Sequence, residues 1–420
     1  MPLDYLPRVA DAELDERLER VGAVLIEGVK GCGKTETARR RAASEVALDA
    51  DPTARQTAQI DPGRVLGGPA PRLVDEWQLV PELWNAVRRA VDARRADGQF
   101  ILTGSATPAD DQTRHSGAGR FSRLRLRPLS LAESGISSDE VSLARLLAGA
   151  GSVAGTAAAG LDDLIAETCH GGWPRDRGRP VAPARRNVAD LAAEISLGDI
   201  KTVDVVRRDP ARVRSLLESL ARNTATEATV TTLAADAGRA GAPMSPETAA
   251  AYLDALERLM VYEPLPTWSP VLRDKARVRR QPVHHLVDPA LAAALLGAGP
   301  DELGRDLKTF GLLFESLATR DLRVYAGPLQ ARVGHYRDNT GLEVDLVIDA
   351  GHRRWAAFEV KLSGSGPVTD AAAKNLLRLA AKVDVQSAGP PSCLGIITAQ
   401  GQAYTRSDGV QVVPLATLGP

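Results

Sequence analysis

The stretch Gly28-Val29-Lys30-Gly31-Cys32-Gly33-Lys34-Thr35 decides the fold of this chain. It matches G-x-x-x-x-G-K-[ST], the phosphate-binding P-loop. The apolar run from Ala23 to Ile26 precedes it and predicts a buried strand, and the residues that follow contain no breaker and predict a helix. Glycines let backbone N–H groups turn inward, and the new helix points its positive end at the same anion. The stretch therefore predicts a strand, loop and helix that bind the phosphates of a nucleotide.

We assign ATP and Mg²⁺ to this loop. Lys34 is expected to reach the β- and γ-phosphate oxygens, and the Thr35 hydroxyl is expected to ligate Mg²⁺. The predicted nucleotide-binding residues are those of the loop and one residue in the following helix: Gly28, Val29, Lys30, Gly31, Cys32, Gly33, Lys34, Thr35 and Thr37.

A second signal is Arg72-Leu73-Val74-Asp75-Glu76, an apolar strand that ends in two carboxylates. After a P-loop this is a Walker B pattern. Asp75 is predicted to hold Mg²⁺ through water. Glu76 is predicted to polarise the attacking water, since ATP hydrolysis needs a base or an orienting group near the γ-phosphate.

Two further features complete the predicted ATPase site. The stretch from Phe100 to Ser105 predicts a strand that ends in hydroxyls, and Thr103 and Ser105 are alternative sensors of the γ-phosphate. Arg120 begins a segment in which arginines alternate with apolar residues, which predicts a strand with one basic face. Either that face is simply solvated, or Arg120 is an arginine finger that acts on the ATP of a neighbouring subunit. The second alternative implies a homo-oligomer.

Four segments together resemble one bacterial and archaeal family of AAA-type ATP-binding proteins. They are Gly-Val-Lys-Gly-Cys-Gly-Lys-Thr at 28–35, Val-Asp-Glu-Trp-Gln at 74–78, Leu-Thr-Gly-Ser-Ala at 102–106, and Arg-Pro-Leu-Ser-Leu-Ala-Glu at 127–133. The resemblance covers nearly the whole chain. It implies an α/β P-loop ATPase core, a helical middle and a C-terminal domain of restriction-endonuclease-like type.

The middle of the chain begins with an Ala/Gly-rich connector, Leu146 to Gly160. The stretch Gly171-Gly172-Trp173-Pro174 resembles the lid motif of the family. Arg175, which follows it, is either a second sensor of the nucleotide or part of a plain turn.

Residues 212–272 follow the pattern of a winged helix. We predict helices from Val213 to Ala221, from Thr231 to Gly238, and from an N-cap at Ser245 to Met260. The third helix is predicted to bury Ala250, Leu253, Leu256 and Leu259. Its exposed face is acidic, whereas the following wing carries Arg273, Lys275, Arg277, Arg279 and Arg280. The domain therefore contacts either DNA phosphates or another protein.

The C-terminal part carries a carboxylate set. A helix from Phe310 to Arg320, a strand from Leu322 to Ala326, and a hairpin of two strands, 341–348 and 355–361, are predicted. Asp345 followed by Glu359-x-Lys361 is the PD-(D/E)XK arrangement. Period-2 alternation places Glu343 with Asp345, and Glu359 with Lys361, on one face of each strand.

This set is what a metal-dependent phosphodiesterase needs. Asp345 and Glu359 are hard oxygen donors and are predicted to bind Mg²⁺. Lys361 is predicted to position or deprotonate a water, or to stabilise the phosphate. Glu315 resembles the helix carboxylate that such folds often add. Intact cleavage and DNA binding without cleavage remain alternatives.

The composition of the chain excludes several classes of protein. The chain has 420 residues, is 44% hydrophobic and 25% charged, and carries a formal net charge of −1. It is therefore expected to form about two to four soluble domains with no global basic field. Three scattered cysteines make no disulfide framework, the N-terminus has no signal-peptide pattern, and no run of about 18 apolar residues occurs. A cytoplasmic location without membrane association is expected.

We predict domains at 1–135 (ATPase core), 136–205 (helical lid and connector), 206–300 (winged helix) and 301–420 (nuclease-like). The favoured function is an ATPase that drives the binding or processing of DNA, with branched and damaged DNA as candidate substrates. The alternatives are a non-nucleolytic nucleotide switch whose C-terminal domain is an interaction module, and a toxin or phage-defence ATPase.

Overall fold

The structure, a computed structural model, describes residues 5–104, 117–149, 151–201, 203, 206–240, 243–271 and 281–420. The helices are, in chain order, α1 (Ala10–Arg20), α2 (Lys34–Arg39), α3 (Pro52–Ile60), α4 (Leu83–Arg94), α5 (Leu143–Leu147), α6 (Leu161–His170), α7 (Val181–Leu197), α8 (Pro210–Arg222), α9 (Val230–Ala240), α10 (Pro246–Arg258), α11 (Pro289–Leu295), α12 (Pro300–Arg305), α13 (Leu307–Ala326), α14 (Gly366–Lys382) and α15 (Val385–Ala388). The strands are β1 (Ala23–Glu27), β2 (Ser44–Ala47), β3 (Arg72–Asp75), β4 (Phe100–Gly104), β5 (Phe121–Arg125), β6 (Val141–Ser142), β7 (Gly155–Thr156), β8 (Arg332–Arg337), β9 (Glu343–Asp349), β10 (Trp355–Lys361), β11 (Cys393–Thr398), β12 (Gln402–Thr405), β13 (Gln411–Pro414) and β14 (Leu418–Gly419).

The N-terminal sheet is parallel, with strand order β2-β3-β4-β1-β5. Every residue of β1 and β4 is buried, as expected for central strands covered on both faces. Strand β1 ends at the P-loop, β3 ends at Asp75, and β4 lies between them. Since all three strands run in the same direction, their carboxyl ends meet at one edge of the sheet, and the predicted ATP site lies there.

The middle of the chain is helical, as predicted. Helices α8, α9 and α10 are followed by two segments that pair antiparallel through the bridges Tyr262–Leu286 and Leu265–Val283. Ser245 caps α10 as predicted, because its hydroxyl accepts a hydrogen bond from Thr248 N at 3.2 Å. The predicted wing arginines and lysine, between 273 and 280, lie outside the described residues.

One core prediction for α10 is wrong. Ala250 is exposed, whereas the neighbouring Ala249 is buried. The buried stripe of the helix is centred on Ala249, Tyr252 and Leu256, and Ala250 lies beside it. Leu253, Leu256 and Leu259 are buried as predicted.

The C-terminal sheet has strand order β7-β12-β13-β11-β10-β9-β8. Helix α13 leads into the antiparallel strands β8, β9 and β10, and α14 then crosses to β11, which runs parallel to β10. The predicted strand from Leu322 to Ala326 is wrong, because these residues form the last turns of α13. No breaker interrupts the helix there, and Leu322, Tyr325 and Ala326 are buried at helical spacing.

The connector is attached to the C-terminal sheet rather than to the ATPase core. Strand β7, within the predicted connector, pairs with β12, and β6 just before it pairs with β14. The hydroxyl of Ser137 also donates to Leu418 O at 2.8 Å. The chain therefore crosses to its own C-terminus before it forms the middle helices.

Candidate nucleotide site and candidate carboxylate site

The P-loop conformation depends on two glycines. Gly31 and Gly33 have φ values of 78° and 105°, which a side chain would disfavour. Lys34, the first residue of α2, donates from Nζ to Gly28 O at 2.9 Å and to Val29 O at 3.1 Å. Its ammonium therefore lies within the loop, among the backbone groups that would surround a phosphate.

Three predicted residues meet at the carboxyl edge of the sheet. Thr35 Oγ1 donates to Asp75 Oδ1 at 3.0 Å, and Thr103 Oγ1 donates to the same oxygen. The loop after β1, the end of β3 and the end of β4 therefore converge on one carboxylate. A hydroxyl and a carboxylate at this separation are the oxygen donors that Mg²⁺ prefers, so these residues fit the metal. Ser105, the alternative sensor, lies outside the described residues.

Glu76 occupies an unusual backbone conformation. Its φ of 53° and ψ of 45° are left-handed, which is uncommon for a residue with a side chain and often marks a functional position. Burial raises the pKa of its carboxyl, although a hydrogen bond from the Gln78 amide and the charge of Lys34 oppose this. A carboxyl with a raised pKa that follows Asp75 directly is suited to accept a proton from water.

Arg120 lies at the opposite edge of the sheet. It precedes β5, and its carbonyl accepts a hydrogen bond from Ala23 N at the start of β1. Its guanidinium is exposed and donates to Asp92 Oδ1 at 2.8 Å. Because the P-loop follows the far end of β1, Arg120 is directed away from the ATP site of its own subunit. Its role on a neighbouring subunit stays a prediction.

Trp173, within the predicted lid motif, contacts the P-loop directly. Its indole Nε1 donates to Lys30 O at 3.1 Å, and a Cβ at Gly31 would lie 3.2 Å from the ring. Arg175 is exposed and lines, with Trp173 and Lys30, a groove of about 380 Å³ between the loop and helix α7. The sequence predicted the motif, but not that the indole would hold the loop.

Arg8, in the segment before α1, is a second contact of the P-loop. It is buried and donates to Cys32 O at 2.9 Å, to Arg127 O at 2.7 Å and to Glu133 Oε1 at 3.0 Å. These bonds fix the segment before α1 against both the P-loop and the chain after β5. The remaining predicted nucleotide residue, Thr37, is buried in α2 and its hydroxyl accepts from Tyr5 at 3.3 Å.

The C-terminal domain brings the predicted carboxylate set together, except for Glu343. Lys361 Nζ lies 2.9 Å from Asp345 Oδ2 and 2.6 Å from Glu359 Oε2. Asp345 Oδ2 also accepts from Val360 N at 2.7 Å. Glu343 does not join them, because it is exposed and pairs with Arg337 at 3.2 Å.

A β-bulge explains this change. The register between β8 and β9 shifts from Gly334↔Val347 to Tyr336↔Val344, so that two residues of β9, Asp345 and Leu346, oppose one residue of β8. Asp345 lies in the bulge. Bulges break the period-2 alternation and redirect a side chain, and they are frequent next to functional sites. The expectation that Glu343 and Asp345 share a face is therefore wrong.

The cluster concentrates negative charge in a buried place. Burial and the charge of Asp345 raise the pKa of Glu315, on α13, well above its ordinary value, and raise the pKa of Glu359 to about 7. The Glu359 side chain is only 3% exposed, and its Oε1 makes no hydrogen bond of ordinary geometry among the described residues, although the Asn375 side chain lies close enough to lower the pKa of the carboxyl. Lys361 is the cation that bridges Asp345 and Glu359.

Two features are absent from the described part of the chain. No group of three or more His, Cys, Asp or Glu side chains there is arranged to hold a metal ion. No helix there is long and apolar enough to cross a membrane. The metal-binding roles of Glu315, Asp345 and Glu359 stay predictions.

Three protein families match this chain. Residues 21–135 match the AAA domain, residues 161–302 match a domain of unknown function (DUF8612), and residues 310–418 match a domain of unknown function (DUF4143). The first match agrees with the geometry of the P-loop edge, and residues 21–135 are an AAA-type ATP-binding domain.

The chain is also similar to whole proteins. It is 26% identical over 413 residues to the uncharacterised protein Rv2008c of Mycobacterium tuberculosis and to the uncharacterised protein Mb2031c of Mycobacterium bovis, covering 97% of this chain and 83% of each relative. The solved structure of the Walker-type ATPase PABY2304 of Pyrococcus abyssi is 15% identical, with a TM-score of 0.42, over 70% of this chain and 96% of that chain. A structure of Drosophila ORC bound to DNA is 14% identical, with a TM-score of 0.21, over 69% and 84%.

Proposed function

We propose that this chain is an ATPase whose hydrolysis of Mg·ATP controls the action of its C-terminal domain on DNA. The observation that carries the ATPase part is the convergence of Thr35 and Thr103 on Asp75, at the edge where the P-loop ends. It joins a phosphate-binding loop, a metal-binding carboxylate and a polar sensor across three neighbouring strands.

Each residue has a distinct role in this proposal. Lys34 neutralises charge on the β- and γ-phosphates, and Mg²⁺, held by Thr35 and through water by Asp75, adds the same kind of charge stabilisation. Glu76 accepts the proton of the attacking water, and the rise of its pKa by burial makes its carboxylate a stronger base than an exposed glutamate. Thr103 senses the γ-phosphate through its bond to Asp75.

The Lys34→Ala variant tests the ATPase assignment. We expect it to lose measurable ATP hydrolysis while keeping the circular dichroism spectrum of the original protein. Lys308→Ala is the control, since Lys308 is an exposed lysine at the start of α13. Equal hydrolysis by the original protein and Lys34→Ala would refute the assignment.

A second function, cleavage or binding of DNA by the C-terminal domain, is favoured by the orphan oxygen of Glu359. Glu359 is a buried carboxylate beside Asp345 and Glu315, and although Asn375 lies close enough to lower its pKa, its Oε1 makes no hydrogen bond of ordinary geometry among the described residues, so the group attracts a cation or a proton. The order of helix, three antiparallel strands, helix and parallel strand supports the restriction-endonuclease-like type that the sequence predicted. In a working site Asp345 and Glu359 hold Mg²⁺, which supplies charge stabilisation at the phosphate, and Lys361 orients the water.

Metal-dependent stabilisation tests this second function. Mn²⁺ or Mg²⁺ should raise the melting temperature, because the metal binds the native state, and the Asp345→Ala variant should lose both the rise and any nicking of DNA. Glu343→Ala is the matched control, from the same strand but outside the cluster. A protein with no metal-dependent rise and no cleavage of any DNA form would instead be a nucleotide switch.

DNA contact through the middle of the chain is part of the same proposal. The helices α8 to α10 and the antiparallel pairing after them support a winged helix. Neutralising Arg277 and Arg279 should weaken DNA binding for all sequences alike and reduce the salt slope by about one or two units. Unchanged binding would restrict DNA contact to the C-terminal domain.

A further inference from the structure

A cavity rich in arginine lies where the ATPase core meets the C-terminal domain. It has a volume of about 150 Å³ and is lined by side chains from α1, β5, the segment after β5, and α13. The guanidinium groups that line it belong to Arg8, Arg17, Arg123, Arg125, Arg127 and Arg323. A second groove, of about 400 Å³, shares Arg17, Arg127 and Arg323 with this cavity, so the two lie next to each other.

The carboxylates around this cavity do not balance its cations. Glu133 pairs with Arg8, Glu13 with Arg17 and Glu27 with Arg123. The other three arginines share one carboxylate, Glu263, at distances of 2.5 Å from Arg127, 3.6 Å from Arg323 and 3.8 Å from Arg125.

Among the described residues, the guanidinium groups therefore outnumber the carboxylates that pair with them by two. Glu257, on α10, also faces Arg125 at longer range, and counting it still leaves one positive charge in excess.

Several buried N–H groups at the cavity have no acceptor. Arg125 Nε and Nη2 and Arg17 Nε are buried and have no hydrogen-bond partner among the described residues. Buried donors are rarely left unpaired, since each costs free energy, and such groups call for an unseen partner. A guanidinium presents its donors in a planar fork that matches the oxygens of a phosphate.

The electrostatic environment of the buried groups agrees with an excess of positive charge. Burial lowers the pKa of Arg323 to about 10; Glu263 opposes this, and the charges of Arg127 and Arg125 add to it. Although burial alone would raise the pKa of Glu263, Arg127, Arg323 and Arg125 hold it well below its ordinary value. One permanently ionised carboxylate thus faces three cations.

We infer that this cavity binds a phosphate group, held by Arg125 and Arg17 together with Arg323. The donors come from both domains, because Arg125 lies on the ATPase strand β5, Arg17 on α1 and Arg323 on the C-terminal helix α13. A bound phosphate would link these elements. The site is separate from the P-loop, and the inference holds whether or not the chain hydrolyses ATP.

The phosphate has two possible sources, a small phosphorylated molecule or the backbone of a nucleic acid. In both cases the arginines would bind phosphate oxygens that carry one or two negative charges. The adjoining groove of about 400 Å³ is large enough to hold the remainder of a nucleotide-sized ligand.

Titration calorimetry with pyrophosphate tests the site. Lys34→Ala protein is used, so that the P-loop does not contribute, and ionic strength is held constant with chloride. We expect binding in Lys34→Ala, and at least a roughly tenfold weaker Kd when Arg125→Gln is added, because a charge-assisted hydrogen bond contributes about this much. Arg17→Gln should weaken binding as well, which guards against a single variant that fails to fold.

Arg20→Gln is the matched control. Arg20 and Arg17 both lie on α1 and each pairs with a glutamate four residues earlier, but Arg20 faces solvent. Its substitution should leave pyrophosphate binding unchanged. A short duplex DNA that displaces pyrophosphate identifies the backbone as the source, and one that does not displace it identifies a small phosphorylated molecule.

The inference is overturned if Lys34→Ala protein does not bind pyrophosphate, or if Arg125→Gln and Arg17→Gln bind it as tightly as their parent. The arginines would then be an ion network that joins the two domains and nothing more. Loss of ATP hydrolysis in Lys34→Ala has no bearing on this result, so the two proposals fail separately.

Discussion

The indole Nε1 of Trp173 donates a hydrogen bond to the carbonyl oxygen of Lys30, 143 residues earlier in the chain. The P-loop is therefore held from outside by the middle of the protein. Gly172, the residue before Trp173, donates to Asp288 Oδ2 at 3.1 Å, and Arg320 of α13 donates to the same oxygen at 2.8 Å. A short series of buried bonds thus connects the P-loop with the helix that carries Glu315.

Replacing Trp173 should weaken ATP binding through the loop. Trp173→Phe keeps an aromatic ring but removes the N–H, and we expect ATP affinity to fall by about two- to tenfold, since a single hydrogen bond contributes about 0.5–1.5 kcal/mol. Trp173→Ala should weaken it further. Fluorescence titration with a nucleotide analogue measures this. ATP affinity that is unchanged in both variants would show that the contact is incidental.

The fall of ATP hydrolysis at low pH, the acid limb of its pH profile, should depend on Glu76. Its ionised form is the base, and burial raises its pKa, so activity should fall with decreasing pH at values above those typical of an exposed glutamate. The amide of Gln78 stabilises the ionised form. Gln78→Met should therefore move the limb to higher pH, and Gln59→Met, at an exposed site on α3, should not. If the acid limb of Gln78→Met lies at the same pH as that of the original protein, Glu76 is not the base.

The position of Arg120 makes a prediction about assembly. Because it lies at the edge of the sheet opposite the P-loop, an arginine finger at this position could act only on the ATP of another subunit. ATP turnover per subunit should then rise with protein concentration, and Arg120→Ala should abolish that rise without weakening ATP binding. Arg89→Ala, on the exposed face of α4, is the control. Full turnover by a strict monomer at nanomolar concentration would exclude the arginine finger.

Glu359 should make stability depend on pH. Its folded-state pKa, about 7, lies above its ordinary value of 4.5, so the folded protein binds more protons between these values and loses stability as the pH rises through them. Without metal at pH 8, Glu359→Gln should therefore melt at a higher temperature than the original protein. Its free energy of unfolding should be greater by up to about 3 kcal/mol. The gain should disappear near pH 4.5. A gain of equal size at both pH values would contradict the shift.

The sequence could predict which residues meet at the candidate ATP site because the determinants of that site are local. The P-loop and the strand ending in Asp75 and Glu76 are short patterns, and parallel strands bring their carboxyl ends together wherever they occur. Thr103 was one of two alternatives, and the bond to Asp75 favours it. The contacts of Arg8 and Trp173 with the loop depend on how distant segments pack, which no local pattern records.

The C-terminal cluster was predicted in part, for a related reason. Asp345, Glu359 and Lys361 follow from spacing on two paired strands. Alternation fails at Glu343, because the bulge around Asp345 adds a residue that a single sequence does not reveal. Likewise α13 continues through Leu322, since burial against the sheet outweighs the apolar composition that suggested a strand.

The most direct test of the central claim is ATP binding and turnover measured side by side in Glu76→Gln. The variant removes only the base and keeps Lys34, Thr35 and Asp75. The account predicts ATP affinity equal to that of the original protein and turnover lower by about 10²- to 10⁴-fold, with Glu82→Gln, at an exposed site before α4, unaffected. Unchanged turnover in Glu76→Gln, or loss of ATP binding together with turnover, would contradict it.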